Sequence, residues 1–290
     1  MPNQLIAKGD SNYPKLLKEI GKEAPKALYY KGVLDDNIFK NCLAVVGSRR
    51  MTTYGKDVIE KIVGEVAAAG LTIVSGFMYG CDAQAHKVAL RFGGRTIAVM
   101  PCGIDKIHPS HQVELYHDIL NKKGLAISEY DGGVLPTNWM YPRRNRIVAG
   151  LSRAVLIIEA ALGSGSLITA NWARKFGRKI FVVPGPITSE NSKGIMQLLK
   201  EGAGAVSGAE DILKYYKVKS DSAWPFSKKV SQNYKPTIEQ EVLNRLKLEA
   251  VGVDDLARTI QKKASELGVI LSMMELRGQI KQEGGKYYVS

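Results

Sequence analysis

The chain has 290 residues, 45% of them hydrophobic, and a formal net charge of +13. That length suits a larger domain with a smaller appendage, and the apolar content suits a sizeable core. The longest apolar runs are strand-sized, which excludes a membrane-spanning helix; three widely spaced cysteines (Cys42, Cys81, Cys102) exclude a disulfide framework and point to a reducing, cytoplasmic setting.

The opening MPNQLIAKGD lacks the charged-then-apolar pattern of a secretory leader. Residues 1–41 combine a helix-like piece, Tyr13 to Ile20, with a short strand around Leu28 to Tyr30, and are expected to pack on the main domain. From Leu43 short apolar runs (LAVV, LTIVS, RTIAVM, LAIS, AVLIIEA, KIFVVPG) alternate with amphipathic stretches. That beat predicts right-handed βαβ units and a Rossmann-like, doubly wound, mostly parallel α/β sheet over residues 42–213. Residues 214–236, rich in Lys, Ser and Pro, read as a basic linker. In residues 237–290, three short helices precede a hairpin around Gly284-Gly285, the pattern of a small winged-helix domain.

The charge is unevenly placed. Residues 1–213 hold 27 basic and 19 acidic side chains, residues 214–236 six and one, and residues 237–290 eight and eight. A polyanionic partner is therefore expected at the large domain and linker.

Ligands of doubly wound sheets sit at the C-terminal ends of the strands, so the loops there are the candidate sites. After the first core strand comes Gly47-Ser48-Arg49-Arg50, which matches neither GxGxxG nor a Walker loop, so no dinucleotide or ATP cofactor is expected. It offers instead a Gly-Ser turn with arginines beside a helix entrance, donors suited to a phosphate. The second loop, from Ser75 and Gly76 to Gly80, permits close backbone approach; Asp82 can cap the next helix and touch His86 one turn on. That Asp–His pair reads as structural support at least as well as catalysis. Phe77, Met78 and Tyr79 could stack a base or bury a hydrophobic turn. His108, His111 and His117 have no carboxylate or cysteine at metal-site spacing, so no metal is assigned. In YPRRNRIVAGLS, Arg143, Arg144, Asn145 and Arg146 form a basic cluster expected to face phosphate. The apolar run Ala154 to Ile158 then ends at Glu159, a further support residue. It feeds the loop Gly163-Ser164-Gly165-Ser166, whose N–H groups and helix entrance form an anion cradle.

These motifs in this order resemble the bacterial DNA-processing protein A (DprA, also called Smf) family. The residues that carry the resemblance are GSR at 47–49, SGFMYGCDAQAH at 75–86, YPRRNRIVAGLS at 141–152, EAALGSGSLITA at 159–170 and KIFVVPG at 179–185; it covers about residues 10–213, and the tail looks like the family's winged-helix appendage. The resemblance implies a Rossmann-like core that binds single-stranded DNA in natural transformation, dimerises, and helps load the RecA recombinase, with Arg49 and the Arg144-Asn145-Arg146 segment in the DNA-binding motifs. Two departures stand out: Met78-Tyr79-Gly80 replaces the usual Ala-Arg-Gly, and His108-Pro109 the usual Tyr-Pro. The helical domain that opens many members has no counterpart in the chain as given. The segment Lys179 to Leu213 is the expected surface for homodimer pairing.

Two other functions compete. A related Rossmann-like family of nucleoside-monophosphate phosphoribohydrolases places a catalytic glutamate just after its PGGxGT loop. Here Thr169 is followed by Ala170 and Asn171, so the anion cradle lacks the carboxylate that glycosidic cleavage needs. A winged-helix transcription regulator would need a basic recognition helix, but Ser265 to Leu276 carries Glu266 and Glu275 and neither lysine nor arginine.

Overall fold

The computed structural model describes residues 4–35, 37–218, 238–246 and 249–289. The chain divides into two units, Met1–Ala223 and Trp224–Ser290. Most of the expected linker, residues 219–236, lies outside the described residues.

The first unit is a nine-stranded sheet, β1(Gln4–Ala7), β2(Ala27–Gly32), β3(Cys42–Val46), β4(Thr72–Ser75), β5(Thr96–Val99), β6(Leu125–Ser128), β7(Ala154–Ile157), β8(Lys179–Val182) and β9(Gly204–Ala205), in the order β1-β2-β6-β5-β4-β3-β7-β8-β9. From β6 to β9 every pairing is parallel, as the alternating sequence predicts. The N-terminal extension does more than pack on this core. Its β1 and β2 join the sheet as antiparallel strands, β2 pairing with β6.

The alternation of side chains along each strand divides the interior. Leu43 and Val45 of β3 point into one layer with Leu156 of β7, whereas Ala44 and Val46 point into the opposite layer with Val155 and Ile157. Fully burying each such Leu, Ile or Val contributes about 1.5–3 kcal/mol, so both faces must be covered by helices. The first layer is covered by α2(Thr53–Val58), a π-helical turn Ile59–Val63, α3(Gly64–Ala68) and α4(Cys81–Arg91). The second lies under α6(Met140–Gly150), α7(Gly165–Lys175) and α8(Glu190–Lys200), with α1(Lys15–Lys18) at one side. A third cluster packs α5(Val113–Asn121) on β5 and β6. Helix α9(Ala209–Tyr216) is locked to the sheet by its last residue: the Tyr216 hydroxyl donates to Cys42 O at 2.5 Å and accepts from Ala154 N at 3.2 Å.

In the second unit, α10(Ile238–Leu246), α11(Val253–Ile260), α12(Ala264–Leu276) and the hairpin β10(Ile280–Glu283)–β11(Lys286–Val289) surround Leu256, Leu271, Met274 and Ile280. These elements follow the three-helix-and-hairpin pattern of the sequence.

Chain direction places the site. From β3 the chain runs outward through β4, β5 and β6, then returns to the other side of β3 as β7. The helices therefore diverge between β3 and β7, and the C-terminal ends of these strands open onto a crevice.

Candidate functional site

At that crevice lies a cleft of about 1040 Å³. Of the residues expected from the sequence, Gly47, Ser48, Arg49, Arg50, Gly76, Asp82, Arg144, Asn145, Ser164, Gly165 and Ser166 line it. They come from the loops after β3, β4 and β7 and from the N-terminal halves of α4, α6 and α7, so residues over 100 positions apart share one surface.

Arg49, like Arg50 beside it, is an exposed cation at the mouth. Its guanidinium sits 5.8 Å from the Tyr79 ring centre and 5.6 Å from that of Tyr141. Rings at this range hold a cation by the quadrupole of their faces without consuming its N–H donors. Tyr141 is itself fixed, because its hydroxyl is 2.8 Å from His108 Nε2. Burial and the neighbouring Arg49 charge hold His108 below the ordinary imidazole value. Phe77 and Met78 are buried while Tyr79 is 44% exposed, so one aromatic of the second loop reaches the cleft and the others fill the core.

The loops are packed closely enough to need glycine. At Gly80, with φ +78, a Cβ would stand 2.4 Å from Ser48 O and 2.6 Å from Arg49 O, so a side chain there would push the second loop off the first. Gly76 has a similar role between two charges: a Cβ there would lie 2.5 Å from Arg144 Nη2 and 2.6 Å from Asp82 Oδ2.

Arg144 differs from the expectation of an exposed phosphate contact. It is 4% exposed, and its Nη1 donates to Gly76 O and Val99 O while Nε donates to Asn145 Oδ1 at 3.2 Å. Burial lowers its pKa to about 10, so it still carries its charge at neutral pH, set in the cleft floor. The reason is helical phase: α6 starts at Met140, which turns Arg144 inward toward the ends of β4 and β5. Arg146 is also 4% exposed and does not line the cleft; its Nη2 is 2.5 Å from Glu129 Oε1. Arg143 remains half exposed, at 3.4 Å from Glu129 and likewise outside the cleft. Asn145 donates to Gly165 O at 3.2 Å and so ties α6 to the Gly-Ser loop, where Ser164 Oγ and Ser166 Oγ are 2.7 Å apart.

Other expected residues lie behind the surface. Ser75 is fully buried and donates to Val45 O at 2.6 Å, which stitches β4 to β3 and withdraws it from any ligand. Asp82 accepts from Met78 N at 3.3 Å, and burial raises its pKa against the opposing effect of Arg144. It does not pair with His86: the His86 Nδ1 lies 2.6 Å from Thr96 Oγ1, whose own proton goes to Ile73 O at 2.7 Å. Nδ1 must then be the protonated nitrogen, and burial depresses the pKa of His86 to about 3. Glu159 accepts from Thr52 N at 2.9 Å and from the Thr52 hydroxyl, which anchors the start of α2 beneath the Arg49 loop.

Sequence reasoning missed Asn191. Its Nδ2 donates to Arg50 O at 2.9 Å and its Oδ1 is 3.4 Å from Ser48 Oγ, bracing the Arg49 loop from α8. The signal was available: KIFVVPG is a core strand, and the loop after it belongs to the same crevice.

The DNA recombination-mediator protein A family model matches residues 4–217, and the DprA winged helix domain model matches residues 229–286. Protein Smf of Escherichia coli is 36% identical over 99% of this chain and 77% of its own length. Among solved structures, DNA processing protein A from Streptococcus pneumoniae is 39% identical with a TM-score of 0.68, covering 73% of this chain and 74% of that one. DNA processing protein A from Helicobacter pylori, whose structure is described as giving insight into its single-stranded DNA binding mode, is 32% identical with a TM-score of 0.65. That similarity covers 74% of this chain and 98% of the Helicobacter protein. No helix among the described residues is long and apolar enough to cross a membrane.

Proposed function

The chain belongs to the DNA recombination-mediator protein A family, and from that premise we propose that it binds single-stranded DNA in the β3–β7 cleft without chemical turnover. It thereby protects incoming strands and helps load RecA during natural transformation in the cytoplasm. The observation that carries the proposal is Arg49, exposed between the rings of Tyr79 and Tyr141 above loops of Gly and Ser. A cation with free donors meets a phosphate, aromatic faces accept any base, and neither selects a sequence. The single-strand binding described for the Helicobacter relative favours the same ligand.

The hydrolase reading has less support. Thr169, buried in α7, is followed by Ala170, and the support carboxylate Glu159 is committed to Thr52. Asp82 is buried beside Arg144, and Glu190 at the rim is paired with Lys193 at 2.5 Å. Duplex readout by the second unit has little support as well. Helix α12 exposes Val269, Met273 and Leu276, spaced to share one face, a surface suited to protein contact rather than to the major groove.

One cleft spans only a few nucleotides, so a homodimer supplies the second set of contacts by raising the effective concentration of the strand. Anisotropy titrations of labelled oligo-dT and a matched duplex, each at two salt concentrations, test the reading. The single strand should bind more tightly, with a log–log salt slope of about −0.7 per phosphate contacted. Equal affinity for the two, or salt-insensitive binding, would sink it.

A further inference from the structure

A second groove, of about 770 Å³, lies against the cleft on the side of the N-terminal extension. Pro142 and Ile168 line both depressions, so the two meet across that pair. The β3–β7 site accounts for none of the second groove's other residues.

Its lining combines rings and cations. Trp139, at the start of α6, is 54% exposed, with its ring edge-on to Tyr130 at 6.1 Å and the Arg143 guanidinium 5.9 Å from its centre. Trp172 of α7 is half-buried, stacked on Phe176 at 5.4 Å, with Lys175 Nζ 4.7 Å from its ring. Lys22 and Lys26, both exposed, come from the N-terminal extension. The groove's two carboxylates are already engaged: Glu23 with Lys175 at 2.8 Å, and Glu129 with Arg146 at 2.5 Å. Lys22, Lys26 and the loosely held Arg143 are therefore its surplus charge. A half-exposed tryptophan among surplus cations leaves apolar area in water that a stacked base would cover.

We infer that the second groove continues the path of the single strand. The strand leaves the β3–β7 cleft over Pro142 and Ile168, stacks bases on Trp139 and Trp172, and sets phosphates toward Lys22, Lys26 and Arg143. Continuity with the first cleft selects a nucleic acid, since a strand held at Arg49 can reach these rings without a break. The inference rests on the reading of the β3–β7 cleft as a single-strand site.

The test is oligo-dT binding by the full chain with strands of about 5 and about 15 nucleotides, which bracket the site sizes of roughly 4–16 nucleotides common for single-strand grooves. Trp139→Ala with Trp172→Ala should weaken the longer strand about 30-fold or more, the loss expected from two stacked bases at about 5-fold or more each, and leave the shorter one unchanged. Trp139→Phe should keep most of the affinity. Because Trp172 also packs on Phe176, Lys22→Glu with Lys26→Glu provides a second variant confined to exposed side chains, with the same length-dependent loss expected. Wild-type affinity for the longer strand in both variants would overturn the inference while leaving the first cleft standing. So would equal losses for both lengths in folded variants. If the unaltered protein binds neither strand, the reading of the first cleft falls and this inference with it.

Discussion

The loop Gly47 to Arg50 and the segment Arg143 to Arg146 look alike as sequence: each sets arginines beside a small polar residue at the end of a core strand or the start of a helix. The fold uses them in opposite ways. Arg49 is exposed, held by two aromatic faces, with its donors available. Arg144 and Arg146 are each 4% exposed, and their donors are spent on Gly76 O, Val99 O and Glu129. The difference comes from the backbone. A loop ending at an N-cap, Thr52, leaves its side chains outside the helical register, whereas a position within α6 points wherever the helix turns it. An arginine in this protein is left open to a ligand or spent as a structural bolt according to phase, not composition.

The largest expected effect comes from removing the bolt. Arg144→Ala leaves two buried carbonyls without a donor and Asp82 without its neighbouring cation, a change of the kind that costs about 3–5 kcal/mol. The thermal midpoint should fall by many degrees, and any loss of DNA binding should track the loss of folded protein. A normal midpoint with lost DNA affinity would return Arg144 to the ligand-contacting class and dissolve the comparison.

Arg49→Ala should do the reverse. Loss of a charge-assisted phosphate contact is expected to weaken single-strand binding by about 1–3 kcal/mol, with a thermal midpoint near that of the unaltered protein because the side chain is exposed. Arg49→Lys keeps the charge and loses the planar fork, so its affinity should fall between the two. Unchanged affinity in Arg49→Ala would show that the cation is merely solvated between its rings.

How far this contrast could be read in advance depends on range. The β3–β8 strands and their helices were legible because period-2 and period-3.6 patterns are local, and the loops of the crevice followed from the rule that doubly wound sheets bind at the C-terminal ends of their strands. The pairing of β2 with β6 was not, since antiparallel addition of an N-terminal strand joins positions nearly 100 residues apart and leaves no local mark. Nor was the inward turn of Arg144. It depends on α6 starting at Met140, with Pro142 tolerated in the first turn, and element boundaries are the least readable feature of a sequence. Asp82 and His86 stand one turn apart as anticipated, yet Thr96 holds the imidazole from the neighbouring strand β5.

His86 sharpens the structural side of the comparison at intermediate magnitude. Its pKa is about 3 in the fold, by burial and by the Arg144 charge, against about 6.5 when unfolded. Between those values the unfolded chain binds a proton that the folded one refuses. Stability is therefore present in full above about pH 6.5 and is lost as pH falls toward 3, by up to about 1.4 kcal/mol per pH unit. Denaturant midpoints measured from pH 7 to pH 4 should show that slope, and His86→Gln should flatten it. A flat profile in the unaltered protein would mean that the imidazole has access to water.

The smallest effect is expected from removing the second unit. Deleting residues 219–290 takes away 12 basic and nine acidic side chains, a net positive charge that a count-based view would credit with binding. Arg144 and Arg146 argue against counting, because charge acts on a ligand only where the fold leaves its donors free. All of the cleft residues lie in the first unit, and Tyr216 already closes its core against β3 and β7. Residues 1–218 should therefore keep single-strand affinity at moderate salt within about 1 kcal/mol, the spread expected when exposed charges are removed. At low salt, where screening reaches to about 30 Å, the deficit should grow as the lost charges are felt from farther away. The salt slope should change by less than about 0.7, the contribution of one phosphate contact. A folded fragment that binds no DNA at any salt would move the interface out of the cleft, and the separation of contact from bolt would then lose its functional side.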